Sequence, residues 1–132
     1  MTLYNPGGGS SNAAIAAGRN NPALSTITEI WDGSSWTELN NVTTARSKLG
    51  SAGSSKLGFI ASGEPATTAT EEWDFTSTLA AGTWASGGNL NVARFGLWGA
   101  GTQTAGLAGG GHPEAKEKTE EYDGSSWTEG GD

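Results

Sequence analysis

The segment Thr28–Glu38, TEIWDGSSWTE, returns with two changes at Thr119–Glu129 as TEEYDGSSWTE. A looser copy, TEEWDFTSTLAAGTW, begins at Thr70. Asp32, Asp74 and Asp123 mark the copies, 42 and 49 residues apart. A second landmark precedes each copy: AAIAAG ending at Gly18, GFIASG ending at Gly63, and AGLAGG ending at Gly110, spaced by 45 and 47. A third, NNVTTARSKLGSAG around Arg46, recurs after 48 residues as NLNVARFGLWGAG around Arg94. Three independent landmarks with a period in the forties define a repeat. Periods of that size belong to propeller blades and helical solenoids. Glycine in every element argues against helices, where it is costly.

Each repeat divides into four short runs bounded by Gly, Asn or Ser, the pattern of hairpin-linked strands. In the last repeat these are FGLWGAG from Phe95, TAGLAGG from Thr104, KTEEYDG from Lys118 and SSWTEGG from Ser125. The repeats occupy about 1–45, 46–93 and 94–132. In the third run of the first repeat, Ile27, Glu29 and Trp31 alternate with Thr28, Ile30 and Asp32, the period of a strand with two distinct faces. Asp32-Gly33 and Asp123-Gly124 are turn pairs. Small residues fill the first two runs, as inner strands converging on an axis require. The large aromatics Trp31, Trp73 and Tyr122, then Trp36, Trp84 and Trp127, fall on the outer two, where they fill the widening gap between blades. Trp98 is the exception, an aromatic on an innermost strand: core packing is expected for it, with plugging the channel or facing a ligand as the alternative.

Composition narrows the function classes. Of 132 residues 22 are Gly, yet without a strict three-residue spacing, which excludes collagen. Regularly recurring aromatics argue against disorder. With 14 acidic and 7 basic residues the net charge is −7, so a phosphate-neutralising surface for DNA or RNA is absent and an anionic membrane is a poor partner. No cysteine is present, which removes disulfides, thiolate metal sites and a Cys nucleophile. The opening MTLYNPGGGSSNAA lacks a basic segment followed by an apolar one, so no signal peptide is expected, and no apolar run reaches membrane-spanning length. A soluble chain is the expectation.

The run Leu107-Ala108-Gly109-Gly110, followed by Tyr122 and then Trp127, resembles the kelch repeat, whose blade carries an apolar stretch ending in a Gly pair, then Tyr, then Trp. Ala17-Gly18 and Ser62-Gly63 stand at the Gly pair in the other repeats, and Trp31 and Trp73 replace the Tyr. The Ala-Arg before the innermost strand, at Arg46 and Arg94, is also similar to kelch blades. Gly-, Ser- and Asn-rich repeats of this kind are similar to kelch-like sequences from phage and environmental sources, which would imply a virion-associated place. The resemblance covers essentially the whole chain. It implies an all-β propeller with three four-stranded blades and says little about activity. The Asp-box turn of sialidase-like propellers is the weaker match, because Asp32 and Gly33 are adjacent here.

Three blades cannot close a ring, since propellers need about four to eight. Two copies supply six and three copies nine. A homodimer forming one six-bladed ring is therefore expected, with a fragment of a longer propeller as the alternative.

In kelch propellers the connection into each innermost strand and the one between second and third strands open on the ligand face. The resemblance places Arg19, Asn20, Asn21, Arg46, Glu64, Arg94, His112, Glu114 and Lys116 there. Arginines gathered at the axis would suit a carboxylate or acidic peptide. The competing reading pairs each Arg with an acid or a carbonyl as a tether between blades.

His112, without a second His or any Cys, makes a poor metal site and reads as a loop residue. Glu71, Glu72, Glu120 and Glu121 are adjacent pairs split between strand faces, and their repetition suggests scaffold use. Asp32, Asp74 and Asp123 read as turn caps rather than calcium ligands. The reading is a non-catalytic binding or structural module without metal or cofactor, its ligand a protein or glycan. A carbohydrate-binding or glycosidase-like propeller is the alternative.

Overall fold

The computed structural model describes residues 7–20, 23–75, 82–113 and 117–131. These form three four-stranded antiparallel sheets in succession, a propeller-like arrangement. The first holds β1 (Gly7–Ser10), β2 (Ala13–Asn20), β3 (Leu24–Trp31) and β4 (Trp36–Glu38). The second holds β5 (Gly50–Gly53), β6 (Leu57–Ala61), β7 (Thr70–Asp74) and β8 (Thr83–Ser86). The third holds β9 (Trp98–Thr102), β10 (Ala105–Gly109), β11 (Thr119–Tyr122) and β12 (Trp127–Glu129). Each sheet is a meander in chain order, as four turn-linked runs require.

Strand register fixes which residues correspond. Ala17 pairs with Thr28, Ala61 with Thr70, and Gly109 with Thr119. The residue after each small one adopts a left-handed backbone: Gly18 at φ 71°, Ser62 at φ 65° and Gly110 at φ 68°. Ser62, not Gly63, is therefore the counterpart of Gly18 and Gly110, which corrects the alignment drawn from the Gly pair. A serine tolerates this strained conformation because its hydroxyl donates to Thr67 O at 2.8 Å and accepts from Arg94 N at 3.2 Å.

The core lies between sheets. Ala17, Val42, Leu49 and Ile60, with Trp84 packed against them, form the first joint. Phe59, Ala61, Leu90, Leu97, Ala108, Tyr122 and Trp127 form the second. Inner strands approach so closely that a Cβ at Gly99 would collide with the Ser51 backbone, which accounts for the small residues there. The outer aromatics fill the gaps as expected in the second and third sheets: Trp73, Tyr122 and Trp127 are buried.

The first sheet differs. Thr28 faces the second sheet, accepting from Trp84 Nε1 at 3.0 Å, so by strand alternation Trp31 and its partner Trp36 lie on the opposite side, which no other sheet of the described residues covers. Trp36 is 50% exposed. Trp98 is 52% exposed and lies over Gly109 on the uncovered side of the third sheet, contrary to the core packing expected for it.

The repeated turns match their sequence reading. Asp32 Oδ1 accepts from Ser34 N at 2.8 Å and Ser35 N at 2.9 Å. Asp123 Oδ1 accepts from Ser125 N and Ser126 N, both at 2.8 Å. Asp74 ends β7, and the turn after it lies outside the described residues. The N–H groups of Ser35 and Ser126, with those of Ser34 and Ser125, hold the Asp32 and Asp123 carboxyls at about 2, against an ordinary 3.8. A carboxyl lowered on folding contributes fully above its unfolded value and loses that contribution as pH falls through the folded one. The Ser35 and Ser126 amide resonances should therefore titrate with midpoints near 2. Midpoints at the ordinary carboxylate value would show that these turns do not hold their aspartates.

Candidate functional site

The connections into β5 and β9 each carry one arginine, and the two make the same set of bonds. Arg46 Nη1 donates to Ser62 O at 3.1 Å and Ala69 O at 2.9 Å, while Nη2 meets Glu71 Oε1 at 2.9 Å. Arg94 Nη1 donates to Gly110 O and Lys118 O, both at 3.1 Å, while Nη2 meets Glu120 Oε1 at 2.9 Å. The second oxygen of each carboxylate secures the preceding connection, accepting from Thr43 N at 2.8 Å and from Asn91 N at 2.7 Å. Burial pushes both guanidinium groups down from their ordinary range, while Glu71 and Glu120 pull them back. They remain charged and each locks an entering strand to the connection between the second and third strands of its own sheet.

Arg46 is 2% exposed and Arg94 0%. Neither guanidinium is presented to a ligand: of the two readings the tether holds, joining parts of one sheet rather than adjacent blades. The physical reason is the carboxylate at the equivalent point of each third strand, which draws the guanidinium inward. The adjacent acids part as strand alternation requires: Glu71 turns to Arg46, whereas Glu72 Oε1 accepts from the Tyr122 hydroxyl. Burial, then the hydrogen bond to Glu72, pushes the Tyr122 phenol up to about 12.

Above the tethers a second cluster joins the last two repeats. Glu64 and His112 are equivalent, since each pairs by a single β-bridge with the residue after the arginine, Ser47 and Phe95 respectively. Lys48 Nζ lies 2.6 Å from Glu64 Oε2 and 5.5 Å from the centre of the Phe95 ring. The Phe95 and His112 rings are 5.9 Å apart. Glu64, Lys48, Phe95 and His112 thus form a continuous acid–cation–aromatic–imidazole strip across the joint between the second and third sheets. His112 is exposed. Such a strip offers both charges and a ring face to a peptide or other mixed polar ligand.

Of the other expected ligand-face residues, Asn20 is exposed at the end of β2. The Arg19 side chain, Asn21, Glu114 and Lys116 lie outside the described residues. Lys48 and Phe95 were not singled out in the sequence, although each lies one or two positions past an arginine whose place in the repeat was evident. Among the described residues no group of three or more His, Cys, Asp or Glu side chains is arranged to hold a metal ion. No described helix is long and apolar enough to cross a membrane. In comparisons with known proteins, no family model matches the chain, and no curated protein does either.

Proposed function

We propose that the chain is a non-catalytic propeller module of the kelch type, half of a six-bladed ring that a second copy completes. Its role is that of a binding or structural platform, with the Glu64–Lys48–Phe95–His112 strip as the ligand-facing surface. The observation that carries the reading is repetition: the same Arg–Glu tether occurs within the second and third sheets, and the same aromatic packing occurs between successive sheets. That is scaffold economy, in which residues recur from unit to unit, whereas a catalytic set is unique. Three units fall below the four that a closed propeller needs, and two copies supply six.

A carbohydrate-binding or glycosidase-like propeller, the alternative, would draw on exposed Trp, Asn and acidic residues. Trp36 and Trp98 lie on sheet faces that this ring would cover, not on the loop face, so they do not favour it.

Light scattering at micromolar concentration should return twice the chain mass of 13.4 kDa. A stable, cooperatively folded monomer would overturn the ring, because both uncovered sheet faces would then tolerate water.

A further inference from the structure

The two joints inside the chain are one joint made twice. In the first, Trp84 of the second sheet donates its Nε1 to Thr28 Oγ1 of the first at 3.0 Å. In the second, Trp127 of the third sheet donates to Thr70 Oγ1 of the second at 2.9 Å. Each of these indoles rests on an aromatic of the neighbouring strand, Trp73 at 5.1 Å and Tyr122 at 4.8 Å between ring centres. A joint therefore has a projecting half, the aromatic pair, and a receiving half, a threonine beside an apolar residue (Ile15 or Phe59).

Register finds one unused copy of each half. The first sheet presents Trp31 and Trp36, 5.5 Å apart, in the projecting position. The third sheet presents Thr119, which pairs with Gly109 as Thr28 pairs with Ala17, and beside it Leu107, aligned with Ile15 and Phe59. Thr119 Oγ1 donates to Gly131 O at 2.6 Å. A hydroxyl that spends its proton this way can still accept a hydrogen bond.

Trp98 marks how the unused joint differs. It pairs with Gly109 as Gly50 pairs with Ala61. Inside the chain the space in front of Gly50 is filled from the next sheet by Leu97, 3.0 Å from where a Cβ would stand. On the third sheet the Trp98 ring fills the corresponding space from its own side, over Gly109.

We propose that the first sheet of one copy seats its Trp31–Trp36 face on the third sheet of a second copy. Trp36 Nε1 donates to Thr119 Oγ1 of the partner subunit, and Trp98 of the partner subunit fills the place that Leu49 and Leu97 fill within a chain. This rests on the ring reading above and names its seam. The occupant is a second copy because both unmatched halves belong to this one sequence, and two such seams close six units.

Sedimentation equilibrium on the full chain tests the seam with Trp36→Phe, Thr119→Val and the two combined. Both positions are solvent-accessible within one chain, so the variants keep their fold. Each single change removes the same two hydrogen bonds per ring and should raise the dimer dissociation constant about tenfold, and the pair no further. A wild-type dimer whose dissociation neither change alters overturns the seam and leaves the ring standing. A wild-type chain that is monomeric throughout overturns both. Larger open assemblies sensitive to both changes support the contact and overturn its closure into a ring.

Discussion

Arg94→Ala should lower the free energy of unfolding by about 3–5 kcal/mol, the cost of leaving one member of a buried ion pair uncompensated. Arg94 and Glu120 are 0% and 1% exposed, so removing the guanidinium leaves a buried carboxylate without its counter-charge. The loss is wider than one pair. Gly110 O and Lys118 O also lose the guanidinium's hydrogen bonds, Lys118 O keeping the one from Gly110 N at 3.0 Å. Arg94→Lys should recover little, because a single ammonium nitrogen cannot occupy both the Nη1 place between the two carbonyls and the Nη2 place at the carboxylate. Replacing both partners, Arg94→Met with Glu120→Leu, should cost less than Arg94→Ala, since no charge is stranded. Urea unfolding at fixed protein concentration reads all three. A cost near zero for Arg94→Ala would mean that the tether is not what fixes the third sheet.

Phe59→Ala should cost about 3–5 kcal/mol by the same measurement, from lost apolar transfer and the cavity left behind. Phe59 is 2% exposed and sits at the centre of the second joint. Its ring meets Trp127 edge-on at 5.4 Å and Tyr122 at 5.7 Å, arrangements that add to area burial. Gly106 has no side chain because the Phe59 ring occupies the space where one would stand. Sheets two and three cannot close over the vacancy, since their separation is held by Trp127 on Thr70 and by the backbone of Arg94 bonded to Ser62 and Gly63. Phe59→Leu keeps most of the volume and should cost less. If alanine cost no more than leucine, the joint would be loose rather than packed.

The contrast between Phe59 and its counterparts shows where function-bearing asymmetry enters. Ile15, Phe59 and Leu107 share one position in the repeat, yet the first two are covered and Leu107 is only half-buried. No property of Leu107 itself decides this. Its exposure follows from there being no further sheet against β10 and β11 among the described residues. The same holds for Trp31 against Trp73 and for Trp36 against Trp127.

Much of the molecule was written in near-neighbour chemistry. The three-fold repeat, the strand runs, the Asp-Gly turns and the positions of the outer aromatics follow from periodicity and turn residues, which act over two to four positions. So does the parting of Glu71 from Glu72, since alternation along a strand is local. What only the tertiary structure decided depends on which sheet faces which. Arg46 and Arg94 could have met a ligand or an acid; packing brought Glu71 and Glu120 within 2.9 Å and buried them. Ser62 holds a backbone shape expected of glycine because Arg94, 32 residues on, returns to its hydroxyl. Trp98 sits uncovered, and Lys48 bridges Glu64 to Phe95, for the same reason: a side chain's neighbours across a joint are set by the stacking of whole sheets, a relation that no short stretch of sequence encodes.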